Sequence, residues 1–203
     1  MLFIILLNYF MNSFYSEKEL KTIGFKKFGT NVLISRHAIF YAPENITLKN
    51  NLRIDDYSII SAVNGSCVIG NFVHIGAFSY VQASGGVVIK DFSGLSQGCK
   101  VYSKSSDFVN ELTNSTIPKK FIKSNVGKVV LGTNSDVGAN TVILPGVTIG
   151  EGVALGANSL VLKTLNNKWS LYFGSPARFV RKRNKANILN QKKKLLQFFK
   201  KKN

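Results

Sequence analysis

The sequence has few of the residues on which disulfide-linked and zinc-dependent proteins depend. Its 203 residues include only two cysteines, two histidines and one tryptophan. Cys67 and Cys99 form a poor disulfide framework, which favours a reducing compartment such as the cytoplasm. A three-histidine zinc site has too few ligands here, even if subunits share it, so we expect no bound metal.

Acidic residues are also scarce, and the resulting charge is unevenly spread. Ten acidic residues face 27 basic ones, which gives a net charge of +17. Eleven basic residues and no acid follow from Arg178 onward, so the preceding 177 residues carry only +6 of that charge (17 − 11). The basic character therefore belongs to the tail. Because the tail has no motif that reads bases, we expect no nucleic-acid binding.

The tail over 184–203 combines its lysines with apolar pairs. Ile188 with Leu189, Leu195 with Leu196 and Phe198 with Phe199 have the spacing of a basic amphipathic helix. Such a helix predicts adsorption of an otherwise cytoplasmic protein to the inner face of an anionic membrane. A solvated tail is the alternative that the same composition allows.

No apolar run is long enough to span a membrane. The opening MLFIILLNYFM is shorter than the about 20 residues that a spanning helix needs, and it lacks the basic start and cleavage site of a signal peptide. Met11 offers a second start site, and we assign this lead no function. Ser16 and Glu19 form a capping-box pattern, which predicts a short helix ending near Gly24 within an N-terminal unit, 1–27.

A period of six residues dominates the chain between 131 and 166. The six units are LGTNSD, VGANTV, ILPGVT, IGEGVA, LGANSL and VLKTLN, and each begins with Leu, Ile or Val. Hexapeptide periods are typical of parallel β-helices, in which the first residue of each unit points inward. The sequence therefore predicts a triangular coil of short flat faces.

Weaker hexapeptides extend the coil toward the N-terminus. Each earlier turn has 18 residues plus two or three extra at one corner. Its first positions fall at Phe28, Ile34, Phe40, Leu48, Ile54, Ile60, Ile69, Ile75, Val81, Ile89, Leu95 and Val101. We therefore expect one solenoid of roughly six turns over 28–166. A long loop over 107–130 interrupts it, and long loops on rigid scaffolds are more often functional than accidental.

The segment after the repeats carries the most specific resemblance. Hexapeptides, a Lys-Thr turn and YFGSPARFVR within a cap over 167–183 resemble the hexapeptide-repeat acyltransferases, in their bacterial sugar acetyltransferase branch. FYSEKEL near the start and the SSD of 105–107 resemble a sub-branch from surface-polysaccharide gene sets. The resemblance implies an all-β, left-handed parallel β-helix that forms homotrimers. It also implies acetyl-CoA in a groove between subunits and a sugar or nucleotide-sugar substrate from lipopolysaccharide or capsule synthesis.

The same resemblance implies the cofactor contacts. Ala139 and Ala157 match positions beside the pantetheine arm, and Leu162 with Lys163 matches a Thr-Lys turn of the family. Arg178 and Arg181 match a basic pair near the nucleotide phosphates. Guanidinium groups suit these phosphates chemically, because they are permanently charged and form paired hydrogen bonds.

The general base is predicted with less help from the family. Ser105 to Asp107, and Gly65 with Ser66, stand where two branches of the family place a catalytic histidine. His74 matches a histidine that contacts the acetyl thioester, and we expect it to act as base or thioester-positioning group. Its outward sixth position predicts a corner pocket with Gly94 and Asp136 on the next two turns. Asp107 is expected to orient the acceptor or His74, and His37 to be structural.

Together these patterns predict an acetyl-CoA-dependent sugar acetyltransferase, with O-acetylation slightly favoured over N-acetylation. The main alternative is a non-catalytic β-helix that serves assembly or binding. A β-helical carbonic anhydrase lacks its third histidine here. A serine acetyltransferase would need a long helical N-terminal domain, which is missing.

Overall fold

The computed structural model describes residues 13–114 and 116–202, so the apolar lead 1–11 lies outside the described residues. The described chain forms a parallel β-solenoid with one helix near each end, as the hexapeptide period predicts, and its coiling is left-handed, as the family resemblance implies. The helices are α1 (Glu17–Ile23) and α2 (Lys185–Lys202). The strands, in chain order, are β1 (Val32–Ile34), β2 (Ile39–Tyr41), β3 (Ile46–Leu48), β4 (Leu52–Ile54), β5 (Ile59–Ser61), β6 (Cys67–Ile69), β7 (His74–Ile75), β8 (Tyr80–Gln82), β9 (Val87–Ile89), β10 (Gly94–Leu95), β11 (Lys100–Tyr102), β12 (Lys104–Ser106), β13 (Ser124–Val126), β14 (Val129–Leu131), β15 (Asp136–Val137), β16 (Val142–Ile143), β17 (Thr148–Ile149), β18 (Ala154–Leu155), β19 (Leu160–Val161), β20 (Ser170–Phe173) and β21 (Arg178–Lys182).

The strands form three faces. The first face stacks β1-β4-β7-β10-β15-β18-β20-β21, the second β19-β16-β11-β8-β5-β2, and the third β17-β14-β9-β6-β3. The coil reaches seven levels on the first face, one more than the repeats predict, because β20 continues the stack above β18. The bend between the third and first faces, where Asn51, Phe72, Phe92 and Asn134 lie, is called the first corner below. The bend between the first and second faces is called the second corner.

The residues that the repeat predicts to point inward form the hydrophobic core. Ile54, Ile75 and Leu95 are all fully buried and stand one above the other in parallel register. The two exceptions are Phe28 and Phe40, which are only partly buried at the N-terminal end of the coil. Fully burying one such aliphatic side chain contributes about 1.5–3 kcal/mol. The repeat therefore stabilises the coil turn by turn.

Both ends of the solenoid are covered. At the N-terminal end the predicted capping box is confirmed: Ser16 and Glu19 bond reciprocally, and α1 ends at Gly24 in the left-handed conformation. Leu20 of α1 joins the core, and Phe14 bridges antiparallel to Ser35 beside β1. At the other end Trp169 is buried against Gly152, whose missing side chain makes room for the indole ring.

The long loop leaves the coil as a narrow two-stranded ribbon. β12 pairs antiparallel with β13, and a short 3₁₀ turn over Lys119–Phe121 lies between them. The chain rejoins the solenoid at Val129, which is fully buried, so the excursion is slightly shorter than the predicted 107–130. Phe108 is 80% and Val109 88% exposed on this loop.

The two cysteine thiols lie in the core. Desolvation by burial raises the pKa of Cys67 to about 12 and, as the largest effect, that of Cys99 to about 11. The thiolate is the reactive form. We therefore expect neither cysteine of the native protein to react with a thiol reagent at pH 8, and both to react after unfolding. The exposed variant Lys194→Cys provides the positive control, and rapid native labelling of the unsubstituted chain would contradict the buried assignment.

Helix α2 returns along the first corner. Phe199 packs edge-on against Phe72 with ring centroids 5.4 Å apart, and Lys192 Nζ lies 4.0 Å from the Phe92 ring centroid. None of the helices in the described part of the chain has the length and apolarity needed to cross a bilayer. Because Phe199 faces the solenoid, membrane adsorption of this tail stays a prediction that depends on its outward lysines.

Candidate functional site

His74 projects outward from the first face, in the strand β7 rather than at a corner as its sixth position predicts. Its Nε2 lies 2.7 Å from the Asp55 Oδ2, while Arg53 Nε donates to the Asp55 Oδ1 at 2.5 Å. Asp55 is 14% exposed and His74 is 47% exposed. A carboxylate that accepts the Nε2 proton fixes the tautomer and leaves the Nδ1 lone pair to take a proton from a substrate.

The predicted stack above His74 is confirmed by the strand register. Gly94 pairs with His74 on one side and with Asp136 on the other. Gly94 leaves its level open, because a Cβ there would meet only the His74 carbonyl oxygen, at 3.5 Å. The result is a cleft of about 410 Å³ lined by His74, Asp136 and Leu195 of α2. It is called the His74 cleft below.

Asp136 lines the same cleft as His74, but its hydrogen-bond partner is an arginine. Its Oδ2 accepts a hydrogen bond from the Arg183 guanidinium at 2.9 Å. The same guanidinium donates to the carbonyl oxygens of Asn134 and Gly152, at 3.0 and 2.8 Å. Arg183 lies two residues before the start of α2, so these three bonds fix the point at which the helix returns over the cleft.

Asp107 lies at the start of the long loop and does not reach the His74 cleft within one chain. Its carboxylate accepts hydrogen bonds from the backbone N–H groups of Val109 and Asn110 and from the Asn110 side chain. These bonds, with the Asn110 side chain first, hold the pKa of Asp107 below its usual value. No hydrogen bond or ion pair between Asp107 and His74 occurs within residues 13–114 and 116–202.

The predicted cofactor residues fall into two groups. Ala139 and Ala157 lie at the second corner on successive turns, where the Asn158 N–H donates to the Ala139 carbonyl oxygen at 2.7 Å. Leu162, Lys163 and Arg178 line a separate cavity of about 190 Å³. Arg181 is exposed further along β21, where it pairs with Leu171 rather than entering that cavity.

His37 is a surface residue of the second corner. Its Nδ1 lies 3.3 Å from Asp56 Oδ1, and its ring stacks on Tyr57 with centroids 5.3 Å apart. No group of three His, Cys, Asp or Glu side chains is placed to hold a metal ion in the described part of the chain.

The family motifs do not point to three residues that hold the site in place: Arg53, Asp55 and Arg183. Asp55 and Arg53 flank Ile54 one turn below Ile75, and they point to the same side as His74. The 21-residue spacing from Arg53 to His74 was the available signal, because it places Arg53 directly beneath the histidine. Arg183 had no such signal, since its partners lie between 31 and 49 residues away.

Two sets of known proteins resemble this chain over most of its length, although no protein-family model matches it. The dTDP-4-amino-4,6-dideoxy-D-glucose acyltransferase of Escherichia coli is 33% identical over 174 residues, which cover 85% of this chain and 90% of that protein. The putative lipopolysaccharide biosynthesis O-acetyl transferase WbbJ of E. coli K12 is 27% identical over 150 residues, which cover 73% of this chain and 74% of that protein.

Solved structures of AntD, an N-acyltransferase from Bacillus cereus, superpose on the solenoid. A variant bound to dTDP-4-amino-4,6-dideoxyglucose and coenzyme A gives a TM-score of 0.87 at 40% identity, covering 92% of this chain and 98% of AntD. Another AntD structure contains dTDP and 3-hydroxybutyryl-CoA, with the same TM-score and identity. The similarity therefore covers most of the chain and almost the whole of AntD.

Proposed function

Because the chain belongs to the hexapeptide-repeat acyltransferases and takes its acyl group from a coenzyme A thioester, we propose that it N-acylates the amino group of a dTDP-linked 4-amino-4,6-dideoxyhexose. The observation that carries the proposal is the near full-length match to AntD, at 40% identity, in a complex that holds the acceptor amino sugar together with coenzyme A. The sequence places O-acetylation slightly ahead, although an amine acceptor tolerates the weaker base that the two missing family histidines imply. The matches to the E. coli acyltransferase and to AntD favour an amine.

The chemistry proposed for the His74 cleft is a direct transfer. The neutral amine attacks the thioester carbonyl carbon, a C–N bond forms, the C–S bond breaks, and coenzyme A leaves as a thiolate. His74 Nδ1 takes the proton that the amine loses and returns it to the thiolate, while Asp55 holds the ring in place. The alternative role of His74 is to position the thioester, as the family resemblance implies.

We also propose that the protein is a trimer and that the remaining predicted residues bind coenzyme A and the acceptor. In this proposal Ala139 and Ala157 border the pantetheine arm of coenzyme A. Leu162 and Lys163 form the protein turn that the family uses beside the cofactor. Arg178 and Arg181 bind the nucleotide phosphates. The support for subunit contacts is the exposure of Phe108 and Val109 on the long loop, since burying such side chains against another subunit is favourable. In that trimer, we propose, the loop and Asp107 reach the acceptor in a neighbouring subunit's His74 cleft.

We propose a place for the product in surface-polysaccharide synthesis, supported by the match to WbbJ. Acylated nucleotide sugars serve as precursors there. A protein held near the membrane by its outward lysines would meet the enzymes that use them, which is the role proposed for the tail.

The acceptor assignment is tested with two matched nucleotide sugars. The protein is incubated with acetyl-CoA and either dTDP-4-amino-4,6-dideoxyglucose or dTDP-6-deoxyglucose, which carries a hydroxyl in place of the amine. We expect mass spectrometry to show one added acetyl group on the amino sugar only, because a neutral amine is the stronger nucleophile. Acetylation of the hydroxyl sugar alone would reverse the assignment. Modification of neither would favour the non-catalytic binding module.

A further inference from the structure

A groove between α2 and the first corner combines aromatic rings with cations. It has a volume of about 660 Å³, within the range typical of small-molecule sites, and Phe72 of the solenoid and Phe199 of the helix border it. Lys192 and Lys193 line the same groove. It is called the helix groove below.

The helix groove offers the contacts that a nucleotide needs. Ring faces such as Phe72 and Phe199 stack on a pyrimidine, a contact that contributes about 1–3 kcal/mol per base. Two ammonium groups neutralise a diphosphate. The amides of Asn51 and Gln197 also line the groove, and they provide donors and acceptors for the edge of a base or a ribose.

The groove neighbours the His74 cleft. Phe72 borders both, and it lies two residues before His74 in the chain. A third cavity, of about 410 Å³, shares Asn51 and Phe72 with the groove and Phe72 and His74 with the cleft. A ligand lying in the helix groove would therefore extend directly toward the histidine.

The predicted cofactor positions lie elsewhere on the coil. Ala139 and Ala157 belong to the second corner, across the first face from the groove, and Arg178 lines the small cavity with Leu162 and Lys163. The adenosine diphosphate of coenzyme A thus has its own candidate site. The helix groove is left for the other nucleotide of the reaction.

We propose that the helix groove binds the nucleoside diphosphate of the acceptor, with Phe72 and Phe199 against the base and Lys192 and Lys193 on the phosphates. This rests on the proposed function, which supplies a dTDP-linked sugar whose amine must reach His74. Helix α2, held by Arg183, is then a wall of the acceptor site rather than an appendage.

Two neighbouring lysines of α2 give a matched test. Lys193 lines the groove and Lys194 does not, although each substitution by alanine removes one positive charge from the same helix. We expect Lys193→Ala to weaken dTDP binding about tenfold, which corresponds to 1.4 kcal/mol, and Lys194→Ala to change it less than about twofold. Phe199→Leu, which removes the ring but keeps an apolar side chain, should also weaken dTDP. Calorimetric titrations of the full-length protein with dTDP and, separately, with coenzyme A measure these effects.

The outcomes separate the groove from the proposed function. Loss of dTDP affinity in Lys193→Ala and Phe199→Leu, with coenzyme A affinity kept, supports the groove. Equal dTDP affinity in Lys193→Ala and Lys194→Ala overturns it while the proposed function stands. Selective loss of coenzyme A affinity assigns the groove to the cofactor and also overturns it. If the unsubstituted protein binds no dTDP, the proposed function fails together with the groove.

Discussion

The variant His74→Ala is expected to lose about 10²- to 10⁴-fold in acyl transfer rate, the range that one general base contributes. The imidazole is the titratable group between the Asp55 carboxylate and the open level at Gly94. Because the side chain projects outward and is about half exposed, we expect the folded solenoid and its assembly state to survive. Initial rates with acetyl-CoA and the amino sugar, together with the mass in solution, measure both expectations.

His37→Ala is the matched control for this variant. His37 also lies on the outside of the coil beside an aspartate, Asp56, but at the second corner. We expect it to keep nearly full turnover. Nearly full turnover in both histidine variants would show that His74 is only a surface residue and would move the chemistry to Asp107, Asp136 or the departing thiolate.

The pH profile distinguishes the two roles proposed for His74. If it is the base, the residual rate of His74→Ala should rise steadily with pH, because the amine then loses its proton without help. If it positions the thioester, the profile should be preserved and the response to acetyl-CoA should weaken instead. Asp55→Asn removes the carboxylate partner of His74 Nε2. In either role of His74, we expect this variant to lower the transfer rate, but less than His74→Ala does.

Shortening the long loop is expected to lower transfer by more than about 10²-fold while leaving the affinity for coenzyme A within about twofold, since misplacing an acceptor slightly costs this much. The change replaces residues 110–121 with two glycines and keeps the paired strands β12 and β13. The physical reason is the proposed position of the loop over the acceptor. Rate measurements and coenzyme A titrations provide the two readouts.

The solenoid itself should tolerate that deletion. Val101 before the loop and Val129 after it are both fully buried, so the coil keeps its core on either side. An unchanged thermal midpoint is the control for folding. A parallel collapse of coenzyme A affinity would place the loop in the cofactor groove and contradict the acceptor assignment.

The inward residues of the coil were predictable because one rule repeats at every turn. The hexapeptide period, once the extra residues at one corner and the long loop are set aside, places Ile75 above Ile54 and Gly94 between His74 and Asp136, and the strand pairing confirms both. The capping box of α1 was equally predictable, since its two partners are three residues apart. Patterns of this kind are local, or follow a six-residue period that the inward aliphatic residues mark on both sides of each insertion.

The path of α2 was not predictable from a pattern. Its amphipathic spacing predicts a helix but not a partner, and the contacts that hold it join residues far apart in sequence: Arg183 with Asp136 and Phe199 with Phe72. The same limit applies to Asp107. Its predicted partners lie on another part of the fold, and a single chain does not bring them together.

The antiparallel segments at the two ends of the coil have a consequence for self-association. A parallel stack of turns exposes at each end a row of backbone groups on which another copy can continue the stack, as in fibril growth. Here Phe14 runs against the first turn, and β21 runs against β20 after the last. Each reversal presents the next molecule with a strand direction that the parallel stack does not use. On the first face, where the strands stack seven levels high, the repeat is therefore not offered as a template for filament growth.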